Sequence, residues 1–317
     1  MIILYLLFFV VACYALVRSG TILVRVLTML SRYFRITEYV FSFFLMSLAT
    51  TMPELFVGIT ASIKGSPILS LSNIIGSNFI HLSFILGLVA IIAKGLKIES
   101  KIAKRDSWIV FLIALLPLLL LFDKKLSRGE GFLLLIVFGW YVYHILREKD
   151  AFKRRMNAMR KDVEHFKKLL KNFLYFIIAA IVLLFSAWAV VETAKLIAQE
   201  LYLSLSLIGI ILVAIGCSVP ELVFGVRSVI AKHEGLSLGN LIGSIVVNST
   251  FVLGLVALIK PIQIENLKII YTGGAFMLAS ILIANLFIAT KNKVSWREGL
   301  ALIIFYVAFL VAEFFLK

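Results

Sequence analysis

The sequence predicts an all-α polytopic membrane protein: about ten transmembrane helices in two five-helix repeats of inverted topology, with broken helices at the midplane. Three observations support this fold class. Of the 317 residues, 62% are hydrophobic and only 15% are charged, which is far more apolar than a soluble globule. Stretches of about 20 apolar residues recur along the whole chain. The two halves of the chain also share sequence motifs.

The apolar stretches place the first five spans at about 2 to 30, 37 to 63, 67 to 93, 106 to 122 and 129 to 147. The second five lie at about 171 to 198, 205 to 231, 236 to 259, 267 to 290 and 296 to 316. The chain therefore divides into a first repeat (1–147), a linker (148–170) and a second repeat (171–317). Because almost no length remains for a soluble catalytic domain, we expect neither an enzyme nor a cofactor.

The net charge of +15 agrees with a membrane topology in which the linker is cytoplasmic. Most Lys and Arg residues then fall in cytoplasmic loops, as the positive-inside rule requires. Both termini are extracytoplasmic in this arrangement, and the expected location is the cell (inner) membrane. The basic excess is accounted for without a nucleic-acid partner.

The linker carries its own periodic pattern. Apolar residues recur at alternating steps of four and three, and basic residues fill the gaps: Phe152, Met156, Met159, Val163, Phe166 and Leu170 are apolar, whereas Arg154, Arg155, Arg160, Lys161, Lys167 and Lys168 are basic. This pattern is typical of an amphipathic helix on anionic lipids. A solvated linker with helical bias is the alternative.

An internal repeat appears when the chain is shifted by 167 residues, the separation of Pro53 from Pro220. The shifted segments share Pro-Glu-Leu, Leu-Ser-Leu and Ile-Gly-Ser at equivalent places. A duplication is the simplest explanation. Since five spans separate the copies, the second copy enters the membrane from the opposite side, an arrangement typical of transporters with a site at the midplane. The repeated segments span about 37 to 93 and 205 to 259.

Glu54 and Glu221 are the only acidic residues near the middle of an apolar stretch, and they are equivalent in the repeat. An ionisable side chain at the bilayer centre costs a few kcal/mol, so such residues are functional candidates by default. The alternative is a protonated Glu retained for packing. The equivalent positions favour a functional pair.

Pro53 and Pro220 predict a break just before each glutamate, because proline removes an amide donor and clashes with the preceding turn. We expect the carbonyls around Ser47 to Thr50, and around Ala214 to Cys217, to lose their helical partners. The hydroxyls of Thr50, Thr51 and Ser218 lie in the same turns. Such an all-oxygen set suits hard cations such as calcium or sodium.

The next span of each copy contributes a polar stripe with a spacing of four residues. Asn73, Ser77 and His81 lie on one helix face in the first copy, and Asn240, Ser244 and Asn248 do so in the second. Polar contacts between helices are the alternative role. Together with the glutamates, these residues are interpreted as the rest of the site wall.

Residues 47–58 (SLATTMPELFVG) and 214–225 (AIGCSVPELVFG) resemble the two α-repeats of the cation/calcium antiporter superfamily. With the Gly-Ser motifs at 73–77 and 239–244, the chain is most similar to the prokaryotic sodium/calcium exchanger branch. The resemblance implies that spans two, three, seven and eight hold the ions, and that the long, tilted spans one and six slide across this core.

The resemblance also implies a ligand set. Glu54 and Glu221, with the backbone oxygens of Thr50 and Cys217, would be the calcium ligands. The flanking sodium sites would be lined, partly through backbone oxygen, by Ser47, Thr51, Ser77, Ala214, Ser218 and Ser244. The chain departs from the family pattern at four positions: His81 and Asn248 replace an Asn or Asp, Cys217 replaces a Thr, and Arg227 is unexpected.

Two buried carboxylates carry a charge that one calcium ion, two sodium ions or two protons could balance. Because an ionised pair without a cation would be severely penalised, exchange is favoured over leak. The sequence therefore predicts a calcium/sodium antiporter, with proton/calcium exchange as the alternative because His81 could titrate near neutral pH. A passive cation channel and a calcium-binding membrane protein that does not transport are competitors from other classes.

Overall fold

The computed structural model describes residues 2–31, 46–97, 101–147, 163–264, 266–291 and 293–315. Most of these residues are helical, and the protein is a polytopic membrane protein. Within the described ranges, four helical stretches are long and apolar enough to cross a bilayer: Ile2–Ser19, Ile68–Ile92, Glu234–Ile259 and Leu267–Ile288. A pair bent by 41°, Leu205–Cys217 with Val219–Ile230, passes the same test when the two parts are taken together.

The helices of the first half are α1 (Ile2–Ser31), α2 (Ser47–Thr50), α3 (Met52–Ile63), α4 (Ile68–Ile80), α5 (Leu86–Ile92), α6 (Lys101–Leu120) and α7 (Arg128–Arg147). A π-helical segment, His81–Ile85, joins α4 to α5. A short 3-10 turn, Leu121–Asp123, follows α6.

The helices of the second half are α8 (Val163–Glu200), α9 (Leu205–Ile208), α10 (Ala214–Cys217), α11 (Val219–Ile230), α12 (Glu234–Val246), α13 (Leu253–Ile259), α14 (Leu267–Lys291) and α15 (Trp296–Phe315). Two further π-helical segments occur here. Gly209–Val213 joins α9 to α10, and Val247–Val252 joins α12 to α13.

Helix α8 starts well before the expected sixth span. It begins at Val163, so residues 163–170 of the predicted linker form its first turns. Residues 148–162 lie outside the described residues, and so does most of the predicted surface helix. At 38 residues, α8 is about 57 Å long, well beyond the roughly 30 Å of a hydrocarbon core. It must therefore tilt or project from the bilayer.

Four short loops form two-residue strand pairings, which the sequence did not predict. Leu96–Lys97 pairs antiparallel with Lys293–Val294, and Lys125–Leu126 pairs antiparallel with Ile262–Gln263. Each pairing joins a loop of the first half to a loop of the second half. Because the backbone groups in these loops have no helical partners, pairing satisfies them where the two chain segments meet.

Close contacts between glycines join the two halves at two places, and each contact pairs a glycine of the first half with a glycine of the second half. A Cβ atom on Gly87 would lie 2.5 Å from the Gly299 carbonyl oxygen, and one on Gly254 would lie 2.8 Å from that of Gly131. The reverse contacts are as close, at 2.6 and 2.8 Å. Only residues without side chains permit this backbone approach, which resembles small-residue packing in other membrane helices.

Equivalent capping boxes begin α7 and α15. The Ser127 hydroxyl and amide both donate to Glu130 Oε2 at 2.7 Å, and Ser295 makes the same two bonds to Glu298. Each glutamate amide in turn donates to the serine hydroxyl, at 3.4 and 3.3 Å. This reciprocal pattern satisfies the free amides at a helix start.

The buried apolar side chains form two clusters. The larger one includes residues of α4 to α7 and α11 to α15. The smaller one joins α1 and α8 to the broken helices, through Phe9, Leu16, Val57, Ala61, Val190, Ala194, Val213 and Cys217. Helices α1 and α8 therefore pack against the rest of the molecule through a separate apolar contact.

Candidate functional site

Two broken helices place the glutamates. Helix α2 ends at Thr50 and α3 begins at Met52, with Pro53 in the first turn, and the same break occurs between α10 and α11 at Pro220. The sequence prediction of breaks at these prolines is confirmed. Glu54 and Glu221 consequently lie in the first turn of a helix, where the macrodipole favours negative charge.

The prediction that the carbonyls of the broken turns lose their partners is wrong at the first position of each turn. The Ser47 carbonyl accepts the Thr51 amide at 2.9 Å, and the Ala214 carbonyl accepts the Ser218 amide at 3.0 Å. Only one residue separates the two helices at each break, and these bonds are kept across it. A carbonyl has two lone pairs, so the Ala214 oxygen still has capacity for another contact, whereas the Ser47 oxygen also accepts the Thr51 hydroxyl at 2.7 Å.

The structure brings Glu54, Glu221 and His81 together. One carboxylate oxygen of each glutamate and one ring nitrogen of His81 all lie within 4.8 Å of one another, and all three residues are 0% exposed. Among the described residues, neither oxygen of Glu54, neither nitrogen of His81 and not Glu221 Oε2 has a hydrogen-bond partner. Burying charged or polar atoms without partners is costly, and a cation would satisfy them.

Buried amides from each half hold the broken turn of the other half. The Thr50 hydroxyl donates to Asn240 Oδ1 at 3.1 Å. At the equivalent place, Asn73 Nδ2 donates to Cys217 Sγ at 3.8 Å. The two contacts use equivalent positions of the repeat, so both broken turns face the interface between the halves.

Serines one turn further along the polar stripes complete the surroundings of the glutamates. The Ser244 hydroxyl is 3.5 Å from Glu221 Oε1, at the limit of a hydrogen bond. The Ser77 hydroxyl is 3.5 Å from Asn73 Oδ1. Both are fully buried, so neither hydroxyl competes with bulk water for its partner.

Some predicted residues point to other partners. The Thr51 hydroxyl donates back to the Ser47 carbonyl at 2.7 Å, whereas the Ser218 hydroxyl has no partner within the described ranges. Every predicted site residue is nevertheless buried: Ser47, Thr50, Thr51, Glu54, Asn73, Ser77, His81, Ala214, Cys217, Ser218, Glu221, Asn240, Ser244 and Asn248.

Asn248 leads to a buried network that the sequence reasoning missed. Its Nδ2 donates to Asn78 Oδ1 at 3.1 Å, and Asn78 Nδ2 donates to Ser249 Oγ at 2.9 Å. Asn78 aligns with Ile245 in the repeat, so a search for matching polar pairs does not detect it. Its position as a polar residue within an apolar span was the available signal.

Arg227 lies on the exposed side of α11. It occupies the last turn of that helix, where a positive charge complements the macrodipole. The guanidinium is therefore separate from the buried carboxylates, and this departure from the family pattern leaves their surroundings unchanged.

A buried carboxylate pair between two related halves of a helical membrane protein is typical of ion-transporting proteins. The chain is a member of the sodium/calcium exchanger protein family, whose family model matches residues 4–147 and 171–315. The resemblance in the repeated motifs is thereby confirmed.

Curated relatives and solved structures agree with this assignment. The sodium/calcium exchanger MaX1 of Methanosarcina acetivorans is 26% identical over 338 residues, covering 95% of this chain and 96% of its own. The inner membrane protein YrbG of Escherichia coli is 28% identical, covering 87% and 86%. A structure of the sodium-calcium exchanger NCX_Mj, soaked with 10 mM sodium and no calcium, matches all of both chains with a TM-score of 0.70 and 25% identity.

Proposed function

We propose that the chain is a secondary active antiporter that exchanges calcium for sodium by alternating access. The observation that carries this proposal is the meeting of Glu54 and Glu221, which come from equivalent places in the two halves, inside the protein. Family membership, and the similarity to MaX1 and NCX_Mj, which are both named as sodium/calcium exchangers, support the choice of ions.

The charge of the site favours exchange over leak. Each ionised carboxylate away from water costs several kcal/mol unless a cation accompanies it. One calcium ion or two sodium ions would neutralise the pair, whereas the ionised pair alone would face a dry barrier. The free-energy cost of reorienting the site is therefore lowest when cations are bound. This couples the movement of one ion type to the return of the other.

The calcium ligands in this proposal are Glu54 and Glu221 with the backbone oxygens of Thr50 and Cys217. Calcium takes six to eight oxygen ligands in flexible geometry, at about 2.3 to 2.6 Å, so bound water would complete the set. The flanking sodium ions would use hydroxyl or backbone oxygens of Ser47, Thr51, Ser77, Ala214, Ser218 and Ser244. Asn73, Asn240, His81 and Asn248 would line the wall.

The proposed architecture has ten spans in two inverted repeats, 1–147 and 171–317. Alternating access would move α1 and α8 over the remaining helices. The separate apolar cluster of α1 and α8 supports this division, because the contacts within it are apolar and non-directional. The loop pairings and glycine contacts support a rigid core, because they tie the other helices of both halves together.

The proposed location is the cell (inner) membrane, with the linker in the cytoplasm and both termini outside. The basic composition of residues 148–170 supports that orientation. Anionic lipids would bind the linker, although most of it lies outside the described residues. Attachment of a membrane-impermeant thiol reagent to single cysteines placed at either terminus or in the linker would test the orientation.

Radioactive calcium uptake into proteoliposomes tests the function. Vesicles loaded with sodium and diluted into sodium-free buffer should accumulate calcium, and collapse of the sodium gradient should stop the uptake. Uptake driven only by an imposed pH gradient would replace sodium with protons as the coupling ion. Calcium flux that needs no counter-ion would indicate a channel, and binding without flux would refute transport altogether.

A further inference from the structure

His81 has a geometry that an oxygen-only cation site does not require. It begins the π-helical segment His81–Ile85, directly after α4, and is 0% exposed. Neither ring nitrogen has a hydrogen-bond partner in the part of the chain that the structure describes, and one lies within 4.8 Å of a carboxylate oxygen from each glutamate. A histidine kept only for packing between helices would be expected to donate or accept a hydrogen bond.

The second half does not reproduce this arrangement. The residue equivalent to His81 is Asn248, whose side-chain amide donates to Asn78 at 3.1 Å. The nitrogen ligand is therefore contributed by one half only. Its position next to both glutamates makes the central site a mixed set of one imidazole and two carboxylates.

The chemistry of this set differs from that of a calcium site. Calcium takes oxygen ligands, whereas imidazole nitrogen suits zinc, copper, iron and nickel, and affinity for nitrogen and oxygen sites rises across the first-row divalent metals. Zinc holds histidine nitrogen and carboxylate oxygen at about 2.0 to 2.2 Å. Ligand atoms around one tetrahedral zinc ion are roughly 3.5 Å apart, so side-chain rotations that shorten these separations by about 1 Å would bring the three groups onto one ion.

We propose that His81, with Glu54 and Glu221, binds a first-row divalent transition metal such as zinc or cobalt, as cargo or as a competitor of calcium. This inference rests on the proposed function in one respect: both require that the same buried site opens to solution. Metal binding itself requires no sodium gradient.

The test uses the purified full-length chain in detergent. Zinc binding is measured by calorimetry, and cobalt binding by the visible absorption bands that report nitrogen ligation. We expect the wild type to bind both metals, and His81→Asn to weaken zinc binding by at least about tenfold. The matched control is His233→Asn, because His233 is exposed at the start of α12 and its loss should leave the buried site unchanged.

Equal zinc affinity in the wild type and His81→Asn would overturn the proposal. If His81→Asn does not fold, His81→Gln is measured against the same criterion. A measurement that needs no variant is competition: calcium should displace zinc, and independent binding of the two ions would refute a shared site. If sodium fails to drive calcium uptake but zinc binding depends on His81, the exchange function is refuted and the metal site is supported. If sodium drives calcium uptake but zinc binding does not depend on His81, only the metal site is refuted.

Discussion

Thr50 and Asn240 are joined by a hydrogen bond of 3.1 Å that connects the broken turn of one half to the polar stripe of the other. The equivalent contact, from Asn73 to Cys217, is 3.8 Å long because sulfur replaces a hydroxyl oxygen. Each half therefore fixes the turn that positions the glutamate of the other half. The site geometry consequently depends on the interface between the halves as much as on either helix.

Removing the Asn240 side chain should disturb both stability and ion binding. Asn240→Ala removes the acceptor that the Thr50 hydroxyl has in the other half and leaves it the Ser47 carbonyl at 3.3 Å, so we expect the loss of one net hydrogen bond, about 0.5 to 1.5 kcal/mol. We expect a lower melting temperature together with weaker apparent calcium affinity in vesicle uptake. Asn285→Ala is the matched control: this buried amide donates to the Ser107 carbonyl at 2.9 Å, and its loss should lower only the melting temperature. Unchanged calcium affinity in Asn240→Ala would show that this amide does not contribute to ion binding.

Neutralising either glutamate should abolish exchange without unfolding the protein. Glu54→Gln and Glu221→Gln keep side-chain size but halve the charge available to a divalent ion. Since the wild-type oxygens are buried and largely without partners, the amide removes a desolvation cost, and thermal stability should be equal or higher. Calcium uptake should fall at least about 100-fold, equivalent to about 2.7 kcal/mol.

Glu200→Gln is the control for these variants, because Glu200 is exposed at the end of α8. Its uptake should match the wild type. Sodium-driven uptake that persists in Glu54→Gln or Glu221→Gln would remove that residue from the proposed ligand set.

Sequence periodicity and local chemistry predicted the helix positions and the two breaks. Pro53 and Pro220 act on their own helices, so their effect can be deduced without the fold. The internal repeat added a long-range constraint, since it led us to expect that equivalent residues of the two halves meet at one interface, and Glu54 and Glu221 do meet.

Features that depend on which segments meet were not predictable in this way. Leu96 faces Val294 in a two-residue strand, and nothing in either loop signals the pairing. The role of Asn78 was not predicted, because the equivalent residue of the repeat is apolar. Asn78 nevertheless lies one helical turn before His81 and contacts Asn248 and Ser249. These contacts arise from packing that differs between the halves.

The contact between Gly131 and Gly254 should tolerate no side chain. A Cβ atom at Gly131 would come within 2.8 Å of the Gly254 carbonyl oxygen, whereas one at Gly139, on the same helix, would meet nothing within 4 Å. Gly131→Ala should therefore lower the melting temperature, by the equivalent of about 1 to 3 kcal/mol for overpacking. Gly139→Ala should be neutral or stabilising, because alanine gains about 1 kcal/mol in helix propensity. Equal melting temperatures for the two variants would contradict this close approach.

Lys64 and Glu192 form an ion pair between the end of α3 and helix α8. The Lys64 ammonium also lies 4.2 Å from the centre of the Trp188 ring, and Lys195 donates to the Lys64 carbonyl at 3.3 Å. These contacts fasten α8 to the core at one place. If α8 slides over the core during transport, they must break in at least one state.

Tethering this contact should stop transport reversibly. In a background of Cys13→Ala and Cys217→Thr, the pair Lys64→Cys and Glu192→Cys would be joined by a short, reducible thiol crosslinker, and calcium uptake measured before and after reduction. We expect uptake to fall to background when the two cysteines are joined and to return on reduction. The crosslinker should not change uptake by either single-cysteine variant. Removing the charges alone, with Lys64→Met, should change uptake only a few-fold, because side chains 20% and 37% exposed form pairs of about 0.2 to 1 kcal/mol. Full activity in the crosslinked protein would mean that α8 and the end of α3 move as one body, and the moving element would have to be sought elsewhere.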